Sequence, residues 1–66
     1  MNILLNGNPK EIVQNVTILA FLESLGLETK EVAIEHNLKV LQKDAYASTV
    51  ITDGDRLEIV RFVGGG

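Results

Sequence analysis

Sixty-six residues make one small domain with no room for a second, and a domain of that size buries only ~60% of the surface its unfolded chain exposes, so its core must be compact. Six basic against nine acidic side chains give a net charge of −3, which excludes the basic stripe of a nucleic-acid binder and suits docking onto a basic or apolar protein surface. The absence of cysteine excludes disulfides and thiolate metal sites, leaving aliphatic packing to hold the fold.

Met1-Asn2-Ile3-Leu4-Leu5-Asn6 alternates as a strand, with Met1, Ile3 and Leu5 on one face and Asn2, Leu4 and Asn6 on the other. Gly7-Asn8-Pro9 signals a turn, and Lys10 to Val16 is expected to return as the second strand of a hairpin. Thr17 is placed to N-cap a helix carrying Ile18, Phe21, Leu22 and Leu25 at i, i+3, i+4 and i+7. Ala20 stands where a capping-box glutamate would sit, so that cap is half built. Gly26 ends the helix, with Leu27 folding back on the last turn, and Glu28 to Glu31 form a polar connection. Val32 to Asn37 alternates as a third strand, and Lys39 to Gln42 adds a short fourth before a polar, irregular stretch containing Tyr46. Asp53-Gly54-Asp55 reads as a turn, and Arg56 to Val63 as the last strand.

This order predicts a two-layer α+β domain over residues 1–63, followed by a flexible glycine tail over 64–66. One helix packs across one face of a mixed sheet of four to five strands. The first and last strands carry the strongest apolar alternation and are expected to be the parallel central pair.

A search for an internal active site comes back nearly empty. His36 shares the parity of Val32 and Ile34 and reads as a half-buried strand histidine, and alone it cannot found a metal cluster. Asp53 and Asp55 flank Gly54, but two carboxylates without further ligands make a poor cation site. Lys10, Lys30, Lys39 and Lys43 are scattered and read as solvated charges, and no glycine pattern joins a strand to a helix as a phosphate loop does. The sequence thus predicts neither catalytic residues nor a metal site. No apolar run approaches the ~20 residues of a membrane span, and no basic-then-apolar signal pattern opens the chain. A cytoplasmic protein that touches neither membrane nor nucleic acid is expected.

Two features point outward instead. With Ile3, Leu5, Leu57 and Ile59 under the helix, Leu4, Val60 and Phe62 face away from it as candidate residues for docking a protein partner. Beside them the sequence closes on Gly64-Gly65-Gly66. A chain ending there is either a frayed terminus or a carboxylate carried on a side-chain-free stalk roughly 10 Å long.

The order of elements resembles the β-grasp fold of ubiquitin, and the chain is similar to the ThiS family, the sulfur carriers of thiamin biosynthesis. The likeness runs the length of the sequence. It rests on Met1-Asn2-Ile3-Leu4-Leu5-Asn6-Gly7, on Val16-Thr17-Ile18 with Leu22-Glu23-Ser24-Leu25, on Val32-Ala33-Ile34-Glu35-His36-Asn37, and above all on Ile51-Thr52-Asp53-Gly54-Asp55-Arg56-Leu57-Glu58-Ile59-Val60-Arg61-Phe62-Val63-Gly64-Gly65-Gly66. The chain departs from the family at Leu38, where a glycine is frequent, at Gln42-Lys43, where Pro-Arg is common, and at His36, where an apolar residue is usual.

The resemblance implies a carrier rather than an enzyme. An adenylating enzyme related to the ubiquitin E1 proteins would activate the Gly66 carboxylate with ATP and magnesium, Gly64 and Gly65 serving as the stalk. A cysteine desulfurase or rhodanese-type donor would supply sulfur to form a thiocarboxylate, and thiazole synthase would take it. The same chemistry would serve a related carrier for molybdopterin or another sulfur acceptor. A β-grasp binding module with an incidental tail is the reading from a different class.

Overall fold

The computed structural model describes residues 1–62; Val63 and the predicted tail, Gly64 to Gly66, lie outside the described residues. Five strands form one mixed sheet: β1 (Asn2–Leu5), β2 (Asn8–Glu11), β3 (Val32–His36), β4 (Lys39–Leu41) and β5 (Arg56–Arg61). Their spatial order is β2-β1-β5-β3-β4. The expected pair of first and last strands is parallel and adjacent, Leu4 lying opposite Arg56 and Leu5 opposite Leu57, while the other three pairings are antiparallel. One helix, α1 (Ile18–Ser24), covers one face. Beneath it lie Ile3 of β1, Val32 and Ile34 of β3, and Leu57 of β5, all buried with Ile18, Phe21 and Leu22 of the helix.

The second strand begins earlier than the turn signal suggested and stops sooner. Asn6 and Gly7 both take positive φ, 50° and 82°, as a two-residue hairpin turn requires. Asn8 therefore pairs directly with Leu5, and Pro9 falls inside β2, opposite Leu4. Lys10 pairs with Ile3, and Met1 and Ile12 exchange amine and amide hydrogen bonds of 2.9 and 2.8 Å. That alternation turns the missing N–H of Pro9 away from β1, the one place a sheet edge tolerates proline. The ladder ends at that pair, and Val13 to Val16 do not continue the strand.

Every backbone donor at the start of α1 has a partner. The Thr17 hydroxyl accepts from the Ala20 amide at 3.1 Å, as the sequence predicts for an N-cap. The Ile18 and Leu19 amides donate to the carbonyls of Thr49 and Tyr46 at 2.9 and 3.0 Å. At the other end Gly26 adopts φ 75°, its amide reaching Glu23 O and the Leu27 amide reaching Leu22 O, both at 3.0 Å. This is a Schellman closure. The helix has only seven residues, so Leu25 lies beyond it and stays largely exposed.

The stretch around Tyr46 looked irregular in sequence, and the structure makes it the second half of the core. A 3₁₀ turn over Lys43–Ala45 delivers Tyr46 inward, where it is the largest fully buried side chain, beside Ile51. Burial pushes its phenol upward, an effect the hydrogen-bonding Ile34 backbone partly offsets. A backbone bridge of Thr17 with Val50, and the Ile51 amide on Val16 O at 2.9 Å, close this segment over the helix N-terminus.

The β3–β4 hairpin also turns on two residues of positive φ, Asn37 at 52° and Leu38 at 72°. Asparagine tolerates that region, but a leucine Cβ is crowded there. With 68% of Leu38 exposed, the side chain gains little burial to offset that crowding. Leu38→Gly is therefore expected to raise stability by about 1 kcal/mol, read as a higher urea midpoint at unchanged m-value.

Candidate functional site

Toward its C-terminal end β5 is held by a dense set of contacts. The Phe62 amide donates to the Glu31 carbonyl at 2.8 Å, and the Arg61 guanidinium meets the Glu31 carboxylate at 3.2 Å. The other carboxylate oxygen of Glu31 accepts from the Glu28 amide at 2.9 Å, closing a capping box around the 3₁₀ turn Thr29–Glu31. That backbone hydrogen bond, joined by Arg61, holds the Glu31 carboxyl below its ordinary pKa. Lys43, read from the sequence as a solvated charge, donates to Thr29 O at 2.7 Å and Val32 O at 2.5 Å. Its ammonium lies 5.9 Å from the ring centroids of both Tyr46 and Phe62. The sulfur-attachment candidate Gly66 and the stalk Gly64 and Gly65 lie outside the described residues, beyond this anchored root.

The three candidate docking residues are exposed, by 39% at Leu4, 59% at Val60 and 54% at Phe62, and strand parity sets Leu4 and Val60 on the face opposite α1. The structure does not gather all three into one patch. Leu4 lies opposite Arg56, four residues and about 13 Å of strand before Val60. Between them sit Arg56 and Glu58, 3.8 Å apart as a solvent-exposed ion pair. Val60 instead lies across from Ala33 and joins Val40, a residue the sequence reading passed over. Ala33, Glu35, Val40, Glu58 and Val60 line a shallow depression of about 90 Å3. Val40's place there could have been found from strand parity, since it pairs with Glu35, which pairs in turn with Glu58.

At the opposite end of β5, His36 and Asp55 form a polar cluster. His36 Nε2 and Asp55 Oδ2 are 2.7 Å apart. The same carboxylate accepts from the Thr52 amide at 2.9 Å, the Thr52 hydroxyl at 2.8 Å and the Asn37 side-chain amide at 3.2 Å. Asp55 is the only buried charged residue among those described. Burial by itself would raise its pKa, but the hydrogen bonds, led by His36, lower it to about 2. Asp53 serves the turn too, its Oδ1 accepting from the Asn2 amide at 2.7 Å. The Asp-Gly-Asp segment is thus turn chemistry, and among the described residues no group of three or more His, Cys, Asp or Glu converges to hold a metal ion.

A carboxyl with a folded pKa below its unfolded value stabilises the fold only when ionised. The contribution of Asp55 is therefore full above about pH 4 and is lost as the pH falls through about 2, amounting to about 2 kcal/mol. Asp55→Asn is expected to flatten that part of the stability–pH curve, measured by urea unfolding at pH values on either side.

Known proteins share this architecture and sequence. The family model for the ThiS family matches residues 3–66. The chain is 41% identical over all 66 residues to a thiazole synthase of Paramagnetospirillum magneticum, of which it covers 20%. A second thiazole synthase, from Magnetococcus marinus, is 36% identical and again covered over 20% of its length, so the chain spans about a fifth of the thiazole synthases it matches. It is 44% identical over 50 residues to the sulfur carrier protein ThiS of Bacillus subtilis, with 76% of each chain covered. The crystal structure of the thiamine biosynthesis protein ThiS from Geobacter metallireducens agrees at a TM-score of 0.84 and 32% identity, over 100% of both chains. No helix among the described residues is long and apolar enough to cross a membrane. With a five-stranded mixed sheet, one α-helix across it and a family match that runs to Gly66, the chain has the ubiquitin-like β-grasp fold and belongs to the ThiS family.

Proposed function

We propose that this chain is a sulfur carrier for the thiazole ring of thiamin, its reactive group being the carboxylate of a terminal Gly66. A carboxylate is a poor electrophile. An E1-like enzyme using ATP and magnesium converts it to an acyl-adenylate, whose AMP is a good leaving group. The terminal sulfur of a persulfide on a cysteine desulfurase or rhodanese-type donor then displaces AMP to give an acyl disulfide, a thiol reductant cleaves its S–S bond, and the thiocarboxylate so released delivers sulfur to thiazole synthase. The chain is acted on in this cycle and is not itself an enzyme.

The observation that carries the reading is the family match through residue 66, the position where the chemistry is assigned. Composition supports it, because a cysteine-free chain has no side chain on which to carry a persulfide. Glycine at 64–66 leaves the backbone slim enough for a narrow active site. Thiazole synthase as acceptor is supported by the relatives of that name in which the matching segment occupies a fifth of the length.

Intact-protein mass spectrometry tests the cycle. Incubation with ATP, magnesium, an E1-like enzyme and a sulfur donor is expected to add the sulfur-for-oxygen mass increment, localised to Gly66 by fragmentation. An unchanged mass with partners that load another ThiS protein would leave only a β-grasp binding module. A chain extended by two residues after Gly66 is expected to keep its fold by circular dichroism and take no sulfur. On the open face, Val60→Asp is expected to slow activation at least tenfold while changing stability by no more than about 0.5 kcal/mol.

A further inference from the structure

The β3–β4 ladder pairs Ile34 with Leu41 and His36 with Lys39, so two residues further the same register would set Lys43 opposite Val32. There the backbone leaves the sheet for the 3₁₀ turn Lys43–Ala45. The Lys43 ammonium takes over as donor, bonding Val32 O and Thr29 O at 2.5 and 2.7 Å. One cation thus ties the start of the Thr29–Glu31 turn, the start of β3 and the turn after β4. It also stands within cation–π range of two rings. Tyr46 is fixed in the core, while Phe62, the last described residue, is half exposed and held along its backbone by Glu31 O.

We infer that Lys43 is a positioning residue for the carrier reaction, clasping Phe62 and so fixing the root from which the reactive carboxylate is carried. This rests on the carrier reading above. Its physical basis is the dependence of reaction rate on alignment. A carboxylate at the end of a chain reaches the attacking geometry more often when the root of that chain is fixed. Slack introduced at Phe62 would therefore be felt in the chemical step, while Val60 and Val40 keep their places in the strands. Methionine at position 43 keeps the length and apolar contact of the lysine stem but cannot donate to either carbonyl or attract a ring. Arginine retains the charge and the donors.

The test follows adenylation of the full chain by the E1-like enzyme over a range of carrier concentrations, below the unfolding temperature of every variant. Lys43→Met is expected to lower kcat about tenfold with KM changed less than about twofold, and Lys43→Arg to restore most of kcat. Backbone ¹⁵N relaxation of the same chains, without partner, is expected to show faster local motion at Phe62 in Lys43→Met alone. A folded Lys43→Met chain with wild-type kcat overturns the inference, as does a Lys43→Arg chain whose kcat stays as low as that of Lys43→Met. Unchanged relaxation at Phe62 overturns the clasp itself. A wild-type chain that gains no adenylate or sulfur overturns the carrier reading instead, and the relaxation comparison then still decides whether Lys43 orders Phe62.

Discussion

The fold depends on satisfying β5 along both edges at once. β5 is the middle strand, parallel to β1 on one side and antiparallel to β3 on the other, and both neighbours run into hairpin turns before β5 is fully paired. Two asparagines solve the problem in the same way. Asn6, at φ 50°, sends its amide to Leu57 O and then uses its side chain as a further peptide unit, accepting from Ile59 N at 2.7 Å and donating to Ile59 O at 3.3 Å. Asn37, at φ 52°, bonds Arg56 O through its backbone and Arg56 N through its side chain at 2.8 and 2.9 Å. A residue here must accept left-handed backbone and also carry both a donor and an acceptor, and asparagine meets both demands.

The same economy explains the buried carboxylate. An ionised group in so thin a core would be costly without compensation. Asp55 is placed where the β3–β4 turn, the Thr52 segment and the start of β5 meet, and its oxygens are met by partners from that turn and from Thr52. Replacing so many donors with apolar contacts would require a wider core than 66 residues can build. The cluster therefore ties three segments to one another through a single side chain. His36 is accommodated because Asp55 is there to receive it.

Alternation and caps made most of the fold legible. The central pair, the Thr17 cap, the Gly26 closure and the Asp-Gly-Asp turn all follow from local chemistry that the sequence spells out. The bounds of β2 did not, because the pair Asn6-Gly7 outranks Gly7-Asn8-Pro9 as a hairpin turn, and proline on an outer edge breaks nothing. Tyr46 was missed for a different reason: it enters the core from a single 3₁₀ turn, too short to show any period. The candidate site was half legible. Parity placed Leu4, Val60 and Phe62 on the open face, but parity carries no information about distance along the strand. Lys43 was unreadable, since its partners are main-chain carbonyls that any sequence would supply.

Distance along the strand also decides which part of that face can cooperate with the tail. Four residues beyond Phe62 span at most about 14 Å. The depression around Val60, with Val40 and Ala33, lies within that reach, whereas Leu4, in register with Arg56, is about 20 Å of strand from Phe62. In the carrier reading, a partner that grips near Val60 has its catalytic groups within range of Gly66 without spanning the sheet. A partner that grips at Leu4 must extend across the Arg56–Glu58 pair to reach the same carboxylate. The end of the sheet that carries Val60 is also the end tied down by Glu31, Arg61 and Lys43. In the carrier reading, grip and the Gly66 carboxylate are thereby referred to one anchored element.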